Sequence, residues 1–130
     1  MATKTLPNDY KYTKDHEWVS TDDDGIATVG ITSYAIEQLG DIVFLELPKV
    51  GDTFEAGAPF GTIESTKTVS DLYAPLTGKI VEINESLTGD NLEELTDDPF
   101  NAGWLVKVES EGGNDELMSK KDYEKFIKED

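Results

Sequence analysis

The chain has 130 residues, and 28 Asp and Glu set against 11 basic residues leave a formal net charge of −17 at pH 7. That length supports one domain with a real core, and with no Cys there are no disulfides to staple it. No apolar run approaches the roughly 18 residues of a membrane span. All the basic residues are Lys, which lacks the planar fork that grips phosphate, and the surface repels both nucleic acid and anionic lipid. Neither nucleic acid nor membrane is an expected partner.

Met1–Asp9 is polar and aperiodic and is expected to be a flexible N-terminal segment, so that a single domain occupies residues 10–130 and opens on Tyr10 and Tyr12. Trp18-Val19-Ser20 and the alternating Ile26–Ile31 read as two strands joined by the Asp22-Asp23-Asp24-Gly25 turn. Thr32 or Ser33 can cap a short helix, Tyr34–Leu39, which Gly40 stops. Ile42–Leu47 is a further strand ending at Pro48. From Gly51 onward, recurrent Gly and Pro divide Thr53-Phe54, Pro59–Glu64, Val69–Tyr73 and Gly78–Ile83 into short strands.

The Leu87–Asp98 stretch is polar and acidic, Gly103–Val108 supplies a last strand, and Gly112-Gly113-Asn114 reads as a linker. Asp115 is positioned to cap a C-terminal helix starting near 115 and carrying Leu117, Met118, Tyr123, Phe126 and Ile127. Trp18 and Trp104 sit in apolar strand patterns and are expected in the core. Many short strands in one small domain predict a mainly β fold, a sandwich or barrel with helices at its margins.

The side chains suggest little chemistry of their own. His16 is the only His, and there is no Gly-x-Ser-x-Gly elbow to accompany it. Setting Gly25 at the glycine of a calcium loop puts Ser20 at the first ligand position and Ile31 at the last, so the Asp cluster is a solvated turn. The acidic run from Asp90 to Asp98 reads the same way, and no metal site is expected.

One lysine stands apart. In Ile63-Glu64-Ser65-Thr66-Lys67-Thr68-Val69-Ser70-Asp71, two strands flank a small polar turn that would lift Lys67 off the body. Its amine is protonated near neutral pH and is a poor nucleophile unaided, so it suits being acylated by another enzyme. Val50-Gly51-Asp52 precedes this hairpin and Ala74-Pro75…Gly78 follows it, a frame that resembles the lipoyl and biotinyl carrier domains. Biotin carriers place Met on both sides of the lysine, where this chain has Thr66 and Thr68.

The resemblance extends to Tyr12-Thr13-Lys14-Asp15-His16-Glu17-Trp18, Gly30-Ile31-Thr32, Leu39-Gly40-Asp41-Ile42-Val43 and Pro99-Phe100-Asn101-Ala102-Gly103-Trp104. Together these motifs are similar to the H-protein family of the glycine cleavage system over roughly residues 10 to 128. A departure lies in the Asn84–Pro99 connection, where Asn91-Leu92-Glu93-Glu94-Leu95 replaces a shorter, Pro-containing family pattern.

The resemblance implies a flattened barrel-sandwich hybrid of short antiparallel strands and a non-catalytic carrier with lipoic acid amide-linked to Lys67. It also implies the partners: a pyridoxal-phosphate glycine decarboxylase, a tetrahydrofolate-dependent aminomethyltransferase, a dihydrolipoyl dehydrogenase and a lipoate-attaching enzyme. An aminomethyl group carried on such an arm decomposes in water and needs shelter. Carboxylates near a cleft can hold its cationic amine, and motif position nominates Glu17 and Asp71, with Asp15 beside them. Glu64 belongs to the hairpin context with Ser65, Thr66 and Thr68, read either by the attaching enzyme or as a plain turn carboxylate.

Two alternatives accompany this reading: an H-protein-like binding module for lipoate relay or storage, and a lipoyl domain serving a 2-oxoacid dehydrogenase. A monomer is expected. No Arg- and Ser-rich transit segment precedes the domain, so the expected location is cytoplasmic, or the mitochondrial matrix for a processed form.

Overall fold

A computed structural model describes residues 10–21, 25–88, 95, 100, 103–112 and 117–128. Among the described residues, nine strands form two antiparallel sheets. In chain order they are β1 (Lys11–Tyr12), β2 (Glu17–Thr21), β3 (Ile26–Ile31), β4 (Ile42–Glu46), β5 (Thr53–Phe54), β6 (Pro59–Ser65), β7 (Val69–Tyr73), β8 (Thr77–Ile83) and β9 (Val106–Gly112). The larger sheet has the order β1-β2-β3-β9-β8-β5 and the smaller β4-β6-β7. Helix α1 (Ser33–Leu39) links the two sheets, and α2 (Lys120–Lys128) closes the described chain.

The alternation in β3 has the expected consequence. Ala27 and Val29 are fully buried, and they meet Val19, Ile80, Val106 and Val108 of the large sheet and Leu45, Ile63 and Leu72 of the small one in a single core. Burying these side chains is worth roughly 1.5–3 kcal/mol each. The sheets therefore pack as two layers with open edges, not as a closed barrel. A second cluster, Tyr12, Trp18 and Tyr123, lies between the large sheet and α2, with Tyr12 and Tyr123 stacked at 4.9 Å.

Three expectations need correction. The last strand runs from Val106 to Gly112, so Gly112 belongs to a strand and not to a linker, because it pairs with Thr77 of β8. The C-terminal helix starts at Lys120 rather than near 115. Met118 is held extended by reciprocal backbone hydrogen bonds with Tyr12, of 2.8 and 2.6 Å, and Ser119 Oγ then accepts from Asp122 N–H at the helix start. Asp115, the proposed cap, lies outside the described residues, as do Met1–Asp9, the Asp22–Asp24 turn tip and most of the acidic Asp90–Asp98 run. Trp18 is buried as expected, but Trp104 is only half-buried at the edge of the second cluster, with the Lys107 ammonium 5.2 Å from its ring.

Candidate functional site

The attachment hairpin joins β6 to β7, and Ser65 organises it. The Ser65 N–H donates to the Thr68 carbonyl (2.8 Å), closing the turn, while its Oγ accepts from the N–H groups of Lys67 and Thr68 (3.2 Å each). A short hydroxyl mimicking a backbone acceptor is what this tight turn requires. Thr66 N–H donates to the Asp41 carbonyl (3.0 Å), tying the tip to the segment after α1. Thr66, Lys67 and Thr68 are exposed, Glu64 is half-buried, and Ser65 is buried beneath them.

Lys67 is exposed but does not stand free of the body. A Cβ on Gly40 would lie 3.3 Å from Lys67 Cε and 3.6 Å from Nζ, so the lysine stem runs across the bare backbone that ends α1. Gly40 sits at φ 85°, a conformation in which Gly is the natural choice, and its N–H closes the helix on the Ile36 carbonyl (3.0 Å).

A cleft of about 170 Å³ reaches Leu39, the residue before Gly40. Its polar walls come from Asp15, His16 and Glu17 at the start of β2, Gln38 of α1, and Ser70 and Asp71 of β7, and Ile31, Ala35, Leu39, Ile63 and Leu72 supply the apolar lining. All three carboxylates proposed from sequence therefore share one cavity. They are not alike, because Asp15 and Asp71 are exposed whereas Glu17 is 2% exposed.

Glu17 is the decisive group. Its Oε2 accepts from Tyr73 N–H (3.0 Å), bridging the large sheet to the end of β7. Its Oε1 is buried with no hydrogen-bond partner. Burial, reinforced by the negative charge of Asp15, pushes its carboxyl well above the usual carboxylate range, and the Tyr73 N–H opposes this only in part. A buried acceptor left unpaired is costly, and it suits a cationic donor entering the cleft.

The β1–β2 turn holds Glu17 in place. Thr13 Oγ1 accepts from the N–H groups of Asp15 (3.2 Å) and Glu17 (3.1 Å), and Thr13 N–H donates to the Glu17 carbonyl (2.9 Å). His16 takes φ 67°, uncommon for a residue other than Gly. Its carbonyl accepts from Thr32 N–H (2.9 Å), joining the turn to the N-cap of α1, whose Thr32 Oγ1 accepts from Ala35 N–H (3.3 Å).

Residue order alone did not reveal the roles of His16, Gln38, Ser70 or the bare Gly40 surface. His16 carried no catalytic signal, and Gly40 carried only a helix-stop signal. Their relation to Lys67 and Glu17 arises from contacts between segments distant in sequence.

With this geometry described, comparison with known proteins is decisive. The sequence profile of the family described as Glycine cleavage H-protein matches residues 10–130. The chain belongs to the glycine cleavage H-protein family. Relatives named Glycine cleavage system H protein include one from Carboxydothermus hydrogenoformans, 48% identical over 127 residues and covering 96% of each chain. Another, from Listeria monocytogenes serotype 4a, is 51% identical over 125 residues, covering 95% of this chain and 98% of its own. The crystal structure of a glycine cleavage system H protein from Mycobacterium marinum superposes with a TM-score of 0.88 at 44% identity, over 95% of this chain and 99% of that one. The H-protein architecture thus extends through the two-sheet body, the hairpin and the C-terminal helix.

Proposed function

We propose that this H-protein family member is the lipoyl carrier of glycine cleavage, with Lys67 as the attachment residue and the Glu17 cleft as the resting place of the loaded arm. The observation that carries the reading is the unpartnered, buried Glu17 Oε1 of a residue that lines a cleft also walled by β7, the strand leaving the Lys67 hairpin. When attached, the lipoyl group supplies a disulfide that accepts an aminomethyl group from glycine. The protein's own residues then bind, orient and exclude water.

Lys67 offers its amine at an exposed tip whose backbone Ser65 and Asp41 hold, so the attachment point is presented in one geometry. Asp71 is the third residue of β7, the strand that leads away from the Lys67 hairpin, and it lines the same cleft as Glu17. Ala35, Leu39, Ile63 and Leu72 give the cleft an apolar lining that shelters the cargo from water. Glu17 Oε1 accepts a hydrogen bond from the cargo's amine, and Asp15 and Asp71 at the mouth add negative potential. That amine also stabilises the ionised Glu17, relieving part of its burial cost.

The partners that follow are a pyridoxal-phosphate decarboxylase, an aminomethyltransferase, a dihydrolipoyl dehydrogenase and a lipoate-attaching enzyme, for a carrier with no catalytic residues of its own. Among the described residues no helix is long and apolar enough to cross a membrane.

Peptide mass spectrometry after incubation with a lipoate ligase, ATP and lipoate tests the attachment residue. A lipoyl increment confined to the Lys67 peptide and absent from Lys67→Ala is expected, and no increment on a folded wild type would refute the reading. For the cleft, Glu17→Ala should still be lipoylated but should release ammonia faster from the loaded carrier. An unchanged release rate would remove Glu17 from that role.

A further inference from the structure

We propose that the outer face of the β4-β6-β7 sheet is the docking surface for the enzyme that acylates Lys67, and that this enzyme presents an apolar surface set with Lys and Arg. The inference rests on the carrier reading above and adds where the attaching enzyme binds and by what chemistry.

Strand register defines the surface. Phe44 of β4 and Val69 of β7 both stand directly opposite Glu64 of β6, so the three side chains form one row across one face of the sheet. Leu45 and Ile63, their chain neighbours, point the other way into the core. The register shifts between Ile42 and Phe44, inserting Val43 as an extra residue that is turned outward. Val43, Phe44 and Val69 are 54%, 49% and 60% exposed, although each is a large apolar side chain. Single exposed apolar residues need no explanation, but three of them on one small sheet face beside a modification site do.

Charge defines the rim. Asp41, Glu46 and Asp71 are exposed around the row, and Glu64 lies half-buried at its centre. Between Lys49 and Lys79 the only basic residue is Lys67 itself. An apolar row with a carboxylate at its centre and more at its rim complements an apolar surface set with Lys and Arg, which gains both burial and steering from the match.

Reach selects the occupant. An enzyme that forms an amide at Nζ must bring its reacting carbonyl to bonding distance of an atom on a short stem, so its surface has to rest on the body around the tip. Enzymes that act on the far end of the finished arm work across a longer tether and need no contact there. The Lys67 stem lies over Gly40, two residues before β4 begins, so a surface that engages the amine there is close to the start of that strand.

The test is steady-state lipoylation of unmodified protein by a purified lipoate ligase with ATP and lipoate, read by intact mass, on Phe44→Ser, Val69→Thr and the double variant Val50→Thr/Val81→Thr. Val50 and Val81 are exposed elsewhere and serve as the control. The proposal expects KM to rise by about tenfold or more in the first two with kcat nearly unchanged, a weaker wild-type reaction at high salt, and no effect in the control. Because Phe44 and Val69 sit at opposite ends of the row, a folding defect in one leaves the other to decide. Wild-type kcat/KM in both would overturn the proposal. It would also be overturned if lipoylation stayed normal and only loading by the decarboxylase fell, which would give the face to a different partner. Failure of wild type itself to be modified would instead refute the carrier reading, and the proposal with it.

Discussion

The Tyr123 hydroxyl lies 2.8 Å from His16 Nδ1 and 2.8 Å from Thr32 Oγ1, so one buried atom of the C-terminal helix touches both the turn that carries Glu17 and the cap of α1. The Thr32 oxygen also accepts from Ala35 N–H, so the hydroxyl pair ties the α1 cap to the helix start. The two walls of the cleft are thus set relative to each other by a residue that does not line it. Tyr123→Phe keeps the ring stacked on Tyr12 but removes this shared partner. The expected cost is about 1–3 kcal/mol, seen as a lower urea midpoint at unchanged slope, together with faster ammonia loss from the loaded carrier.

Glu17→Gln separates charge from shape. Because burial raises the Glu17 pKa in the fold, the stability linked to it is fully present below the unfolded value of about 4.3 and is lost as pH rises through the folded value. Between about pH 4 and neutrality the wild type should therefore lose stability relative to Glu17→Gln. The check is a series of urea midpoints for both proteins across that range, in which the difference grows with pH. Parallel curves would show that Glu17 titrates as if it were in water.

Gly30→Ala probes the second core. Gly30 pairs directly with Trp18 across β2 and β3, and a Cβ there would overlap the Trp18 indole, which is 1% exposed. The ring cannot move aside without displacing Tyr10, stacked on it at 4.8 Å. A loss of about 1–3 kcal/mol or more is expected by thermal unfolding, with a change in Trp fluorescence.

Ser65→Ala should loosen the hairpin tip while sparing the body. Two N–H groups, those of Lys67 and Thr68, lose the Oγ acceptor. Both lie close to solvent, so the cost is expected near 1 kcal/mol. Amide exchange at Lys67 and Thr68 should speed up, and lipoylation should slow several-fold, with little change at Ile63 or Leu72.

Much of the fold was legible because it is written locally. Alternation in Ile26–Ile31, the Thr32 cap and Gly40 stop around α1, and the Gly and Pro punctuation after Gly51 all depend on near neighbours, and the structure follows them. The errors came where a distant partner overrode the local signal. Met118 belongs to a helical pattern by composition, yet Tyr12 holds it extended, and Gly112 reads as a linker until Thr77 pairs with it. Within the site, Lys67 was visible as a lysine in a small polar turn between strands, and Glu17, Asp71 and Asp15 were visible only through motif resemblance.

The order of residues by itself determined that this is an acidic, mainly β fold of short strands with a lysine in a small polar turn between two of them, since composition and turn chemistry act over a few residues. Tertiary structure alone decided that Glu17 is buried with a bare oxygen, that the Lys67 stem crosses Gly40, and that Phe44, Glu64 and Val69 share a face. Each of these depends on how strands far apart in the chain register and pack, and burial, which sets the cost of an unpaired oxygen or an exposed ring, exists only once they have done so.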